Sequence, residues 1–397
     1  MSKITVKAVL LPAFFYFFFF GTSSAQIFIC DPSHSYPTTP PCTNPIVTAV
    51  PFLRIVPDAR SAGMGDAGIT TSTDANALHF NSSKLAFTED QFGFSATYTP
   101  WLRALGLQDV HLLYFTGYAQ VDAKQTVGAG LRYFTLGTTS DTGEMYTFSP
   151  HEYELAVSYN RQLSEKFAVG LTVKYIYSKI GMNDNGQVYT PFEAETIAGD
   201  LSFTYKTSLT DKLDLTIGSV ISNLGSKVQY RDEDPEDFLP ANLGIGTGLS
   251  WRINELHSIH FALDINRLLA PTPPLDDAFN QQNNNSGSPF IPDYLEQSTL
   301  KAALNSFSDS QVGFYEEIIE NNYSFGAEYC YKRFAVRIGH FNEHWVKGNR
   351  KYMTYGLGFN SGSATLNVSY LHTTTKGRHS LDNTMRLSLM VDFGEAS

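Results

Sequence analysis

The chain has 397 residues and a formal net charge of -11, with 42% hydrophobic, 14% aromatic and only 17% charged residues. The acidic balance excludes nucleic acid as a partner, because phosphates demand a basic surface. Beyond the N-terminus no segment approaches the run of about twenty apolar residues that a membrane helix needs. A chain rich in aromatics and glycine but poor in helical pattern suits a β-barrel.

Residues 1–25 read as a secretory signal: Lys3 and Lys7 lead, Ala8 to Phe20 form the apolar core, and Ser23-Ser24-Ala25 supply small residues before Gln26. Export places the mature chain in an oxidising compartment, where Cys30 and Cys42 are the candidate pair for a disulfide across a Pro-rich stretch. The sequence leaves that pairing open. Residues 26–49 form a flexible Pro/Thr-rich segment, and residues 50–90 change to glycine and polar residues without strand alternation. Within the latter, Asp58, Arg60, Gly63, Met64, Gly65, Asp66 and Gly68 mark a turn-rich motif. A nucleotide-binding loop would need a buried strand before it and a Lys-Ser or Lys-Thr opening a helix after it, and neither is present. A compact plug against or inside a barrel is the better reading.

From residue 91 to 393 the pattern becomes all-β. Tyr153, Leu155, Val157 and Tyr159, then Phe167, Val169, Leu171, Val173, Tyr175 and Tyr177, place large apolar side chains on one face of two successive strands. A soluble sandwich alternates too, but the second strand has aromatics at both ends, as two membrane interfaces require. Fourteen such segments are predicted, at 91–99, 109–119, 125–136, 153–161, 166–178, 196–206, 212–222, 241–251, 256–266, 323–331, 333–341, 352–360, 363–372 and 384–393. An even count closes an antiparallel transmembrane barrel without open edges. Connections alternate between short and long, the asymmetry of outer-membrane barrels with periplasmic turns and extracellular loops. Arg132, Glu154, Lys174, Asp200, Asp214, Asp264, Glu328, Arg337 and Arg386 fall opposite the bulky apolar residues, which makes them lumenal. The last strand ends in Phe393, with four residues after it.

The longest loop, 267–322, opens on a Pro-rich stretch and later shows Leu300, Leu304 and Phe307 at helical spacing, so it is a functional candidate with a surface insertion as the plainer alternative. Catalytic chemistry is not evident. His257 and His260 face opposite sides of a strand, and His379-Ser380 lacks a visible supporting group, so a lipid hydrolase is a minor alternative. Cys330 reads as a buried small residue. No cofactor or metal set stands out.

Several stretches carry a resemblance: Leu53-Arg54-Ile55, Asp58-Ala59-Arg60 and Gly63-Met64-Gly65-Asp66-Ala67-Gly68, then His79-Phe80-Asn81 and Lys84-Leu85-Ala86-Phe87. Further on come Tyr98-Thr99-Pro100-Trp101, Leu131-Arg132-Tyr133-Phe134, Ser222-Asn223-Leu224-Gly225, Phe238-Leu239-Pro240 and Asp264-Ile265-Asn266-Arg267-Leu268-Leu269. In these the chain resembles the PorV family of outer-membrane barrels of the type IX secretion system of Bacteroidetes, itself similar in fold to fourteen-stranded fatty-acid transporters. Ser82-Ser83 and Phe80 depart from that family's Pro-Ala and Trp. The resemblance implies a non-enzymatic protein embedded in outer-membrane lipid that docks beside the translocon barrel. It would receive cargo through C-terminal signal domains and pass it to an attachment complex holding a sortase-like protein. Trp101, Leu268, Leu269, Pro271, Pro273 and Trp345 are the candidate contacts for cargo or partner. The competing reading is a channel for hydrophobic small molecules.

Overall fold

The computed structural model describes residues 45–140, 147–184, 189–231, 235–273, 294–310, 313–375 and 379–395. The signal segment and the Cys30–Cys42 pair lie outside them. Fourteen strands close into one antiparallel barrel. They are β1 (Asp90–Pro100), β2 (Val110–Asp122), β3 (Gln125–Leu136), β4 (His151–Ser164), β5 (Phe167–Asp184), β6 (Tyr189–Thr210) and β7 (Leu213–Gly225). Then come β8 (Asn242–Arg252), β9 (His257–Leu268), β10 (Asn322–Tyr331), β11 (Phe334–Asn342), β12 (Lys351–Asn360), β13 (Ala364–Thr373) and β14 (Met385–Glu395). Each strand pairs with the next, and β14 returns to β1 in the register Phe92↔Phe393 to Tyr98↔Leu387. Closure leaves no row of unpaired amides facing hydrocarbon.

All fourteen expected segments are strands, but β5 and β6 are far longer than the alternating pattern suggested. Their pairing continues to Asp184↔Tyr189 past a register shift at Lys179/Gly181, consuming most of a connection read as a loop. A strand of about ten residues already crosses a bilayer, so this hairpin rises beyond the membrane on the outer side. A second two-stranded ribbon, Thr139–Ser140 with Thr147–Phe148, lies in the connection after β3.

Side chains alternate as the period of two requires. Along β4, Glu152, Glu154, Ala156, Ser158 and Asn160 are buried while Leu155, Val157 and Tyr159 are exposed. Aromatic pairs mark both rims, Phe92 and Phe94 against Phe393 at the short-turn end and Tyr153 against Tyr177 at the other, where amphipathic rings suit the headgroup layer. The lumenal charges are buried as expected, except that Asp214 is half-exposed at the periplasmic rim beside Arg252. Cys330 faces inward and is half-buried rather than buried.

Val157 is 61% exposed near the middle of β4, and Val121 is 62% exposed at the short-turn end of β2. Val157→Lys should cost about 2–4 kcal/mol and Val121→Lys no more than about 1 kcal/mol, the difference between membrane centre and interface. Urea titration of the heat-modifiable folded band measures both, and equal losses would contradict this placement.

Candidate functional site: an occupied lumen and an outer crown

Residues 51–87 run through short helical turns whose bonding partners come from strands on all sides of the barrel, which places the segment in the lumen. Asp58 caps the turn Ala59–Ala62 by accepting from Ser61 N at 2.8 Å. Arg60, one residue into that turn, forks onto Glu328 of β10 through Nε at 3.1 Å and Nη2 at 2.8 Å, and reaches Asp74 at 3.0 Å. Glu328 is also bound by Arg337 of β11 at 2.5 Å, whose Nη1 donates to Asn367 of β13. These groups are nearly inaccessible, so each charge depends on the other for compensation.

The glycine motif makes contact of a different kind. Gly65 has φ +68°, a left-handed conformation open to glycine, and its backbone lies against Gly339 while Met64 lies against Gly326; the two wall glycines pair across β10 and β11. A Cβ on Gly339 would land on the Gly65 amide, and one on Gly65 would sit 2.5 Å from His340 N. Gly65 N donates to Thr354 Oγ1 at 2.8 Å, and the amides of Gly68 and Ile69 both donate to Asp264 Oδ2, at 2.7 and 2.8 Å. Met64 packs with Ala67 and Ala262, and Asp66 accepts from the Tyr352 hydroxyl.

Wall residues also reach inward for main-chain atoms. Arg132 of β3 donates to Leu53 O at 3.1 Å while paired with Glu154, and Arg386 of β14 donates to Val56 O at 3.0 Å. Ser388 Oγ accepts from Ala59 N, and Thr204 Oγ1 accepts from Asn81 Nδ2. Ser82 and Ser83 bond to Ser202 and Thr204 of β6.

Above the lumen, residues 269–273, 294–310 and 313–321 of the outer loop gather around a charged clamp. Arg267, at the end of β9, binds the carboxylates of Glu317 and Glu320 and the carbonyls of Ser306 and Glu317. Lys347, from the loop after β11, binds Glu316 at 2.6 Å and Glu320 at 2.9 Å, and Thr272 Oγ1 donates to Glu320 at 2.6 Å. Burial leaves the Glu320 carboxyl above the usual range despite the opposing pull of Thr272, Lys347 and Arg267. Asp309, Glu317 and Glu320 bring carboxylate oxygens within 4.8 Å of one another, but Arg267 and Lys347 already supply positive charge to the group.

The clamp draws Glu316 and Glu317 of the short helix Phe314–Ile319 inward beside Ile319, and the short helix Thr299–Asn305 buries Ala302 and Ala303; each leaves large apolar side chains on the outside. Leu304 is 75% and Phe314 80% exposed; Leu300, Phe307, Ile318 and Trp345 are exposed as well. Of the contacts proposed from sequence, Trp345 alone is freely presented. Trp101 is buried beneath the Arg386 guanidinium, 5.6 Å from its ring centre. Leu268 packs with Phe238, Ala270 and Ala302, Leu269 with Ala241 and Ala303; Pro271 is buried and Pro273 half-buried. The helical spacing of Leu300 and Leu304 was legible, whereas Phe314 and Ile318, four apart with two glutamates between, also had the signal and were missed.

Gly339→Ala should displace the lumenal turn, lowering stability by about 1–3 kcal/mol and raising ion conductance in planar bilayers while the barrel still migrates as a heat-modifiable band. Gly199→Ala, whose Cβ would meet nothing nearer than 3.5 Å, is the control and should be nearly neutral. Identical conductance and stability in the two variants would refute the close approach.

The Pseudomonas putida toluene transporter TodX is 13% identical, covering 84% of this chain and 96% of that one with a TM-score of 0.47. The Ralstonia pickettii toluene transporter TbuX is 12% identical, covering 85% and 98% at 0.47, and a Pseudomonas aeruginosa FadL homologue 10%, covering 89% and 100% at 0.41. No curated protein matches the chain. The family model described as "Type IX secretion system protein PorV" matches residues 41–275, from the lumenal segment through β9 into the start of the crown loop. With more than half its length so matched, the chain belongs to the PorV family of outer-membrane β-barrel proteins of the type IX secretion system.

Proposed function

We propose that this barrel carries secreted cargo at the outer membrane. It receives passenger proteins by their C-terminal signal domains beside the translocon barrel and delivers them to an attachment complex with a sortase-like component. The supporting observation is the crown: a clamp of buried charges holds two helices so that Leu300, Leu304, Phe307, Phe314 and Ile318 face outward. Apolar patches held out of a core mark interaction surfaces, and a folded domain needs a preformed patch of this kind for its anchors. The lumenal segment serves as a plug in this reading, keeping the wall sealed while cargo is handled outside. No step requires catalysis.

A channel for hydrophobic small molecules is less well supported. Such a ligand needs an apolar pocket of several hundred Å³. The lumenal cavity bounded by the segment is about 130 Å³, and its apolar lining, Leu53, Ile69, Phe80 and Val220 among it, is interrupted by Lys174, Asp66, Asp264 and Arg350.

Leu304→Asp combined with Phe314→Asp should weaken capture of a cargo signal domain by about tenfold or more and leave cargo in the periplasm, with heat-modifiable migration unchanged. Capture at wild-type strength by a correctly folded double variant would overturn this reading.

A further inference from the structure

A second cavity, of about 280 Å³, lies between the lumenal segment and the outer loops. Trp101 from the loop after β1, Glu343 to Arg350 from the loop after β11 and Leu381 from the loop after β13 form its rim, so it faces the outside. Its charged lining is lopsided. Arg54, Arg350 and Arg386 face Glu343 and Asp66, while Lys347 is turned away onto Glu316 and Glu320.

Two of the three guanidiniums share one carboxylate. Arg350 binds Glu343 through Nε and Nη2, both at 2.8 Å, and Arg54 reaches the same Glu343 at 3.1 Å. Burial works to raise the Glu343 carboxyl, but Arg350 and Arg54 outweigh it and leave it below the usual range. Arg54 is itself pushed down to about 10 by burial and by the neighbouring Arg350, against the pull of Glu343. Arg386 gives Nε to Val56 O and lies over the Trp101 ring; among the described residues no carboxylate is bonded to the terminal amino groups of its fork. Ile46, Val56, Leu371 and Leu381 contribute apolar surface to the same lining.

We infer that this cavity binds a carboxylate carried on a small apolar group, the chemistry shared by the C-terminal residue of a peptide and by a short-chain fatty acid. A carboxylate offers the paired acceptors that an arginine fork matches and supplies a third negative charge where Glu343 and Asp66 face three arginines, while its apolar neighbour packs on the apolar part of the lining. The inference stands on this cavity alone and does not depend on the crown's apolar face or on the cargo reading.

The test uses the full chain in detergent, with calorimetric titration of N-acetyl-valyl-leucine, its C-terminal amide, and octanoate. Saturable binding of the free acid, at least about tenfold weaker for the amide and in Arg54→Gln, is the expected result. Arg54→Gln removes a cation as accessible as Arg350, leaves the paired Arg350–Glu343 bonds in place and spares the lumenal bond of Arg386, and Arg54→Lys should recover part of the affinity. Quenching of Trp101 fluorescence in a Trp251→Phe and Trp345→Phe background reports the same event locally. Binding of the peptide acid alone identifies a chain terminus as the source, and binding of octanoate alone a free amphiphile; either supports the site. Absence of saturable binding by both acids, equal affinity for acid and amide, or unchanged affinity in a folded Arg54→Gln protein would overturn it.

Discussion

A charge enclosed by a wall wrapped in hydrocarbon has no bulk water to fall back on, and it must be compensated from within. The inward face of this barrel carries acids and bases from many strands, and the wall satisfies only part of their demand by itself, as in Arg132 with Glu154 and Lys174 with Asp200. The lumenal segment provides the remainder. Its Arg60 completes Glu328, its amides at Gly68 and Ile69 hold Asp264, and its carbonyls at Leu53 and Val56 receive Arg132 and Arg386. Much of this partnering uses main-chain atoms, so it depends on the path of the segment more than on its side chains. Wall and segment are therefore two halves of one hydrogen-bonded interior, compact over Thr43–Ser397.

That path is fixed sterically by glycine on both sides of the contact. Backbone approaches backbone where Gly63 and Gly65 meet Gly356 and Gly339, and Ile69 fills a shallow trough over Gly218 and Gly246, which pair across β7 and β8. Small residues on the wall create the space, and the left-handed turn at Gly65 places its amide on Thr354. Ionic pairs then lock a fit that shape has selected, which explains why a strand interior tolerates glycines that lower its intrinsic propensity.

Much of this was legible in the sequence because a membrane wall imposes a strict period of two. The positions of Leu155, Val157 and Tyr159 opposite Glu154 and Ser158 gave strand, face and sidedness together, and the short turns after β2, β4, β6, β8, β10 and β12 gave orientation. What escaped lies where that period stops. Above the membrane β5 and β6 no longer alternate against lipid, so their extra length left no simple signature. Asp58, Arg60 and the glycines were recognisable as a motif, but Glu328 and Gly339, more than 250 residues away, could be named as their partners only by the fold. The same limit affected Trp101, Leu268 and Leu269: large apolar residues in outer loops look alike whether they form a surface or, as here, pack beneath one.

The rule that charges are matched internally continues into the crown and determines what the exterior can present. An ordinary surface helix directs its apolar stripe inward and its charges to water. In Phe314–Ile319 the polarity is reversed, because Glu316 and Glu317 are drawn under by Lys347 and Arg267, leaving Phe314 and Ile318 on the outside. Burying ions costs free energy that a simple loop closure would not need to spend, and exposing a phenylalanine gains nothing in water. Both costs fall on the same six-residue helix. The cargo docking proposed above would offset both by covering the apolar face, and the clamp would then hold that face ready so that a partner meets an ordered surface.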